Sequence, residues 1–122
     1  EVLRTTDVLV SILPATPETA DALNEDILRA LPNTAIFVNV GRGATVDEDA
    51  LLAALHEGRL RVAAVDVTKD EPLPADSKLW AAPNLIITPH VAGNRPKGAA
   101  KLVLANIEAL KEGNAMTNQV AG

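Results

Sequence analysis

The sequence predicts an α/β fold built on a parallel sheet, and three observations predict it. Four short apolar runs, residues 7–13, 35–40, 61–67 and 85–88, are rich in Val, Ile and Leu and are bounded by Pro, Gly or Asn. The segments between them give the order strand, helix, strand, helix, strand, loop, strand, helix, which implies parallel strands joined by crossovers. Arg42, Asp66 and His90 stand at the carboxyl ends of three of these runs, which is where open parallel sheets bind ligands.

The elements follow in order. DVLVSIL, residues 7–13, is apolar at both alternating sets of positions, which predicts a strand covered on both faces. Pro14 stops it. In TPET, Thr16 suits an N-cap, Pro17 the first helical position and Glu18 the positive end of a helix. Asn24 caps a second helix over EDILRAL, which ends before Pro32. AIFVNV, residues 35–40, is a second buried strand, apolar apart from Asn39. Thr45 and Glu48 have the spacing of a capping box for the helix in DEDALLAALHEG, which has apolar residues at 51, 52 and 55 and Gly58 as its stop. RVAAVDV is the third strand and LIIT the fourth, separated by a loop over residues 68–84 that carries Pro72, Pro74 and Pro83. Pro96 starts a last helix with an apolar stripe at 99, 102, 103, 107 and 110, and Gly113 ends it.

Composition narrows the functions open to such a fold. The chain has 122 residues, enough for one domain or part of one, and 48% of them are hydrophobic. Phe37 and Trp80 are the aromatic residues, so the core is aliphatic. A formal net charge of −5 without a basic cluster argues against nucleic acid or an anionic membrane surface as the partner. No apolar run approaches the ~20 residues that span a bilayer. The absence of cysteine removes disulfides and thiolate chemistry and fits a cytoplasmic protein. The opening EVLRTTDVLVSIL reads as the middle of a fold, which leads us to expect a fragment.

The residues at the strand ends suit one chemistry. Arg42 lies between Gly41 and Gly43 at the end of the second strand. A guanidinium is a two-pronged donor that matches a carboxylate. The imidazole of His90 can give a proton to a ketone oxygen or take one from an alcohol. A carboxylate such as Glu71 can orient that imidazole and favour its protonated form. Alone, each has an ordinary reading: an exposed arginine, a loop histidine, a glutamate in the solvated run KDEP. Together, Arg42, Glu71 and His90 make a set for reducing a 2-oxo acid, with the hydride supplied by a cofactor because no side chain supplies one. His56, late in a helix, reads as structural, and Asp47, Glu48 and Asp49 are accounted for by capping and the helix dipole.

The segments VNVGRGATVDEDALLAALHEGRL, AAVDVTKDEPLP and NLIITPHVAG, with LPATPET before them, resemble in order and spacing the signatures of the D-isomer-specific 2-hydroxyacid dehydrogenases. The likeness runs from about Thr6 to Val120, and LPADSKLW is most similar to the glyoxylate/hydroxypyruvate reductase branch. The resemblance implies the second half of a doubly wound, Rossmann-type nucleotide-binding domain, with residues 1–122 forming its C-terminal part. It implies that Arg42 binds substrate, that His90 is the acid/base and that Glu71 is its partner. Leu13, Pro14, Val40, Gly41, Arg42, Asp66 and the stretch from His90 to Gly93 would line NAD or NADP, with Gly41 letting the chain pass close to the nicotinamide and Gly43 turning it toward the next helix. The glycine-rich phosphate turn, the residue that reads the adenosine ribose and the substrate domain would all lie outside these residues, so the sequence leaves NAD and NADP both open. Thr68 stands where many members carry an aromatic residue, a change expected to affect packing and not chemistry. The family likeness also implies a homodimeric parent that acts on a small 2-oxo or 2-hydroxy acid. The competing expectations are a non-catalytic, dinucleotide-sensing interaction protein of the same fold, and a chain that is inactive as it stands.

Overall fold

The computed structural model describes residues 1–93 and 97–118. Its strands are β1 (Val8–Ser11), β2 (Ile36–Asn39), β3 (Val62–Val65) and β4 (Leu85–Ile87), and its helices are α1 (Glu25–Ala30), α2 (Glu48–His56) and α3 (Ala99–Lys111). The strands form one sheet in the order β1-β2-β3-β4, parallel at every pairing. The expected α/β architecture with a parallel sheet therefore holds. Each strand is shorter than its apolar run, and flanking residues extend the pairing by single bonds, as where the Val40, Asp66 and Thr88 N–H groups donate to the Ser11, Asn39 and Val65 carbonyls.

The register aligns Leu9 with Phe37, Phe37 with Ala63 and Ala63 with Leu85, so these residues share one face. Phe37 and Ala63 are fully buried there with Leu28 of α1 and with Leu51, Ala54 and Leu55 of α2. Burying a side chain such as Phe37 or Leu51 contributes about 2 kcal/mol relative to exposure. The opposite face differs from expectation. Val8, Val10, Ile12 and Ile86 are half exposed or more, so β1 is covered on one face and not on both. The cause is topological: α1 and α2 pack on the same side, against the alternate residues of each strand.

Three local expectations are corrected. Residues 17–21 form turns and no helix. The Thr19 hydroxyl donates to the Pro14 carbonyl at 2.6 Å and accepts from the Thr16 N–H at 2.9 Å, closing the segment on itself. The capping box of Thr45 and Glu48 does not form. Asp47 caps α2 by accepting from the Ala50 N–H at 3.1 Å, and Thr45 donates its hydroxyl to the Arg42 carbonyl at 2.7 Å. Glu48 therefore does more than complement the helix dipole, since its carboxylate accepts from the Lys69 N–H at 2.7 Å and ties the loop after β3 to the start of α2. Asn24 caps α1 as expected, accepting from the Ile27 N–H at 3.2 Å, and Gly58 follows α2 at φ 66°. The expected helix start at Pro96 lies outside the described residues, as does Val120. The described part of α3 begins after Gly98 and buries none of its side chains.

Candidate active site

The turn after β2 is built by Asn39, which the sequence showed as the polar exception in an apolar run. Its side chain is fully buried. The amide oxygen accepts from the Gly41 N–H at 3.1 Å, and the amide nitrogen donates to the Arg42 carbonyl at 3.1 Å. The buried polar group is thereby satisfied and the turn is fixed. Backbone packing also requires the glycines. A Cβ on Gly41 would lie 2.7 Å from the Leu13 carbonyl oxygen, and one on Gly43 would lie 2.0 Å from the Thr68 carbonyl carbon. Each glycine is a point where this strand end passes against another stretch of backbone. Gly41 packs on the end of β1 and Gly43 on the loop after β3. Arg42, between them, is exposed, and one guanidinium nitrogen donates to the Gly41 carbonyl at 2.7 Å.

Glu71 and His90 come together from the loops after β3 and β4. His90 Nδ1 lies 2.8 Å from a Glu71 carboxylate oxygen, and the other oxygen accepts from the Thr68 N–H at 3.2 Å. The Glu71 carboxyl is held below its ordinary value by the His90 hydrogen bond first; burial opposes this, and the Thr68 N–H and the charges of His90 and Arg42 add to it. Arg42 is thus close enough for its charge to be felt at Glu71. With Nδ1 committed to Glu71, Nε2 is the ring nitrogen left to face a substrate. Thr68 is buried; its hydroxyl donates to the Asp70 carbonyl at 2.7 Å while its N–H serves Glu71.

Asp66 is 6% exposed and accepts from the Thr88 hydroxyl and the Val91 N–H on one oxygen and from the Ala92 N–H on the other. Burial raises its pKa, but the Thr88, Ala92 and Val91 hydrogen bonds and the His90 charge outweigh it, leaving the carboxyl below its ordinary value. Of the other expected lining residues, Leu13 is half-buried, Pro14, Val40 and Gly93 are exposed, and Gly41 is buried against Leu13. Beside Glu71 and His90 opens a cavity of about 410 Å³ whose apolar wall includes Leu73, Trp80 and Ile87. The sequence alone assigns no site role to Asn39, Thr88, Leu73 or Trp80. The sequence carries signals for three of them, a lone polar residue in a buried strand (Asn39), a hydroxyl two residues before His90 (Thr88) and one of the two aromatic residues (Trp80), and none for Leu73.

The set is suited to orienting a carboxylate and moving one proton: an exposed guanidinium with donors beyond the one bonded to Gly41, a carboxylate-backed imidazole and a cavity beside that imidazole. Comparison with known proteins bears on which reaction uses it. The family profile described as "D-isomer specific 2-hydroxyacid dehydrogenase, NAD binding domain" matches residues 1–92, and the chain belongs to this family. It is 44% identical over 119 residues to glyoxylate/hydroxypyruvate reductase A of Escherichia fergusonii, an alignment that covers 97% of this chain and 38% of that protein. Among solved structures, it matches a D-isomer specific 2-hydroxyacid dehydrogenase of Xanthobacter autotrophicus in complex with NADPH and MES, with 43% identity and a TM-score of 0.89 over 98% of this chain and 50% of that one. It also matches the NADPH-dependent glyoxylate/hydroxypyruvate reductase of Sinorhizobium meliloti in complex with NADP and sulfate, with 34% identity and a TM-score of 0.87 over 97% of this chain and 39% of that one. The chain spans about two fifths of the length of the curated relatives it matches. No helix among the described residues is long and apolar enough to cross a membrane.

Proposed function

We propose that these residues form the acid/base half of the active site of an oxidoreductase that reduces a small 2-oxo acid to a D-2-hydroxy acid with NADPH or NADH. The observation that carries the reading is the 2.8 Å contact between His90 Nδ1 and Glu71, whose carboxyl also feels the positive charge of Arg42. The reductase names and the NADP complexes of the relatives support glyoxylate or hydroxypyruvate as substrate and NADP(H) as cofactor.

In this reading, Arg42 pairs with the substrate carboxylate through its fork of N–H donors. That contact sets the ketone oxygen toward His90 Nε2. The protonated imidazole gives that oxygen its proton, and Glu71 stabilises the charged ring until it does so. In the reverse direction the neutral imidazole takes the proton from the hydroxyl. Leu13, Pro14, Val40, Asp66, the His90–Gly93 stretch and the backbone at Gly41 would hold the nicotinamide nucleotide. The donor set fits it, since Asp66 keeps one oxygen with a single N–H donor and the strand ends beside it are apolar and exposed. The nucleotide supplies the hydride when bound.

Residues 1–122 are, in this proposal, the C-terminal part of the nucleotide-binding domain of a larger, homodimeric, cytoplasmic enzyme. The half-exposed valines of β1, an edge strand, support a further packing partner for that face. The test is NAD(P)H oxidation by the whole protein with glyoxylate and hydroxypyruvate, against aldehydes of the same size that lack the carboxylate. Turnover of the 2-oxo acids alone is expected. Equal turnover of the aldehydes, or turnover of neither class, would overturn the proposal. Calorimetric titration of the isolated 122 residues tests the domain assignment, and tight nucleotide binding by a monomer would contradict it.

A further inference from the structure

We propose that Thr88 is a positioning residue for the His90 imidazole and acts through Asp66. The inference rests on the dehydrogenase reading of the site and deepens it. His90 has φ 52°, in the left-handed region that a residue with a side chain occupies only when its surroundings impose it. Asp66 supplies those surroundings. Its carbonyl accepts the His90 N–H at 2.8 Å. Its carboxylate accepts the Val91 N–H at 2.9 Å, the Ala92 N–H at 2.8 Å and the Thr88 hydroxyl. One buried side chain therefore grips the chain on both sides of His90, and Thr88 is its partner on the upstream side.

Thr88 has a further property that suits this role. Its own N–H donates to the Val65 carbonyl at 3.0 Å, so its position is set by the pairing of β3 with β4. The hydroxyl transmits that fixed position to the Asp66 carboxylate, and the carboxylate transmits it to the N–H groups of Val91 and Ala92. Without the hydroxyl, the carboxylate keeps two backbone donors on the downstream side and loses its side-chain tie to β4; the backbone ties remain, from the Asp66 N–H to the Asn39 carbonyl at 2.9 Å and from the His90 N–H to the Thr88 carbonyl at 3.0 Å. The His90 turn then acquires freedom, and the 2.8 Å contact of Nδ1 with Glu71 is the contact most exposed to it. The low pKa of Asp66 keeps the clamp in its charged, accepting form at neutral pH.

The experiment compares Thr88→Val, which removes the hydroxyl at similar volume, with Thr88→Ser, which restores it, in the whole protein. For Thr88→Val, kcat with a 2-oxo acid is expected to fall roughly ten- to a hundredfold, the scale of a small misplacement of a reacting group. The loss of reduction with rising pH moves to lower pH. Thr88→Ser recovers kcat and the pH profile. The His90 ring signals of protein labelled with ¹⁵N-histidine, assigned with His90→Gln, show a single ring environment in wild type and Thr88→Ser and exchange broadening in Thr88→Val. A Thr88→Val protein of lowered stability with wild-type kcat, pH profile and ring signals would reduce Thr88 to a structural role and overturn the inference, as would a Thr88→Ser protein that behaves like Thr88→Val. Thr88→Ala replaces Thr88→Val if the latter does not fold. If wild type reduces no 2-oxo acid, the dehydrogenase reading fails, and the ring signals alone decide whether the clamp exists.

Discussion

Gly43→Ala is the substitution with the most calculable outcome. The added methyl would sit 2.0 Å from both the carbonyl carbon and the carbonyl oxygen of Thr68 and 2.5 Å from the Lys69 nitrogen, against 3.4 Å for an ordinary contact. The chain at Thr68 must therefore retreat by about 1.4 Å, and all three atoms are backbone, so no rotamer change can accommodate it. Overpacking of this kind costs typically 1–3 kcal/mol. The displaced segment is also the one whose Thr68 N–H binds Glu71, so the carboxylate behind His90 moves with it. A 1 Å misplacement near the chemistry costs on the order of a hundredfold in rate. Gly43→Ala should thus lower both the urea midpoint and kcat/KM of the whole protein. Gly58→Ala is the control: φ is 66°, no atom lies within 4 Å of its Cβ, and the expected cost is a loss of about 1 kcal/mol in stability with unchanged kinetics. A Gly43→Ala protein with wild-type denaturation and kinetics would refute the close crossing of the two backbones.

Arg42→Lys should raise the KM for a 2-oxo acid and lower kcat/KM strongly, because a point charge cannot make the paired contact with a carboxylate; unchanged steady-state kinetics would remove Arg42 from the substrate site. Glu71→Gln should move the failure of reduction to lower pH, because the negative charge that favours the protonated imidazole is gone, and a pH–rate profile that stays in place would count against the pairing. Asp66 has a depressed pKa in the fold, so its contribution to stability is present above the ordinary carboxylate range and is lost as pH falls through the depressed value; acid denaturation of Asp66→Asn should show a shallower loss there than wild type. Asp47→Ala removes the cap of α2 and should cost about 1 kcal/mol by urea denaturation, with activity retained at its normal pH optimum.

The sheet was legible because its signal is local. Runs such as AIFVNV and RVAAVDV are β-branched, short and bounded by breakers, and the alternation with helices leaves few topologies. The caps were legible only where one residue competed for the role. At Asn24 one side chain was available; at α2, Thr45, Asp47 and Glu48 all had suitable chemistry, and the choice was made by Lys69, whose N–H takes Glu48, and by Arg42, whose carbonyl takes Thr45. Those partners are remote in sequence or set by a turn, so spacing alone cannot select among them. The same holds at the site. Arg42, Glu71 and His90 stand out by residue type and position, whereas the reason for Gly41 and Gly43 depends on Leu13 and Thr68, which lie far along the chain. The exposed face of β1 was misread because apolar alternation reports that a face can be covered, and which face α1 and α2 cover follows from packing.

The central claim is that Arg42 anchors a carboxylate while the Glu71-backed His90 faces the reacting oxygen. A crystal structure of the whole protein with NADP and oxalate, an unreactive mimic of the substrate, tests it most directly. The account predicts one carboxylate of oxalate paired with both guanidinium prongs of Arg42, an oxygen of the other within hydrogen-bond reach of His90 Nε2, and Nδ1 still bonded to Glu71. Oxalate held away from Arg42, or His90 turned from Glu71 with the ligand in place, would contradict it.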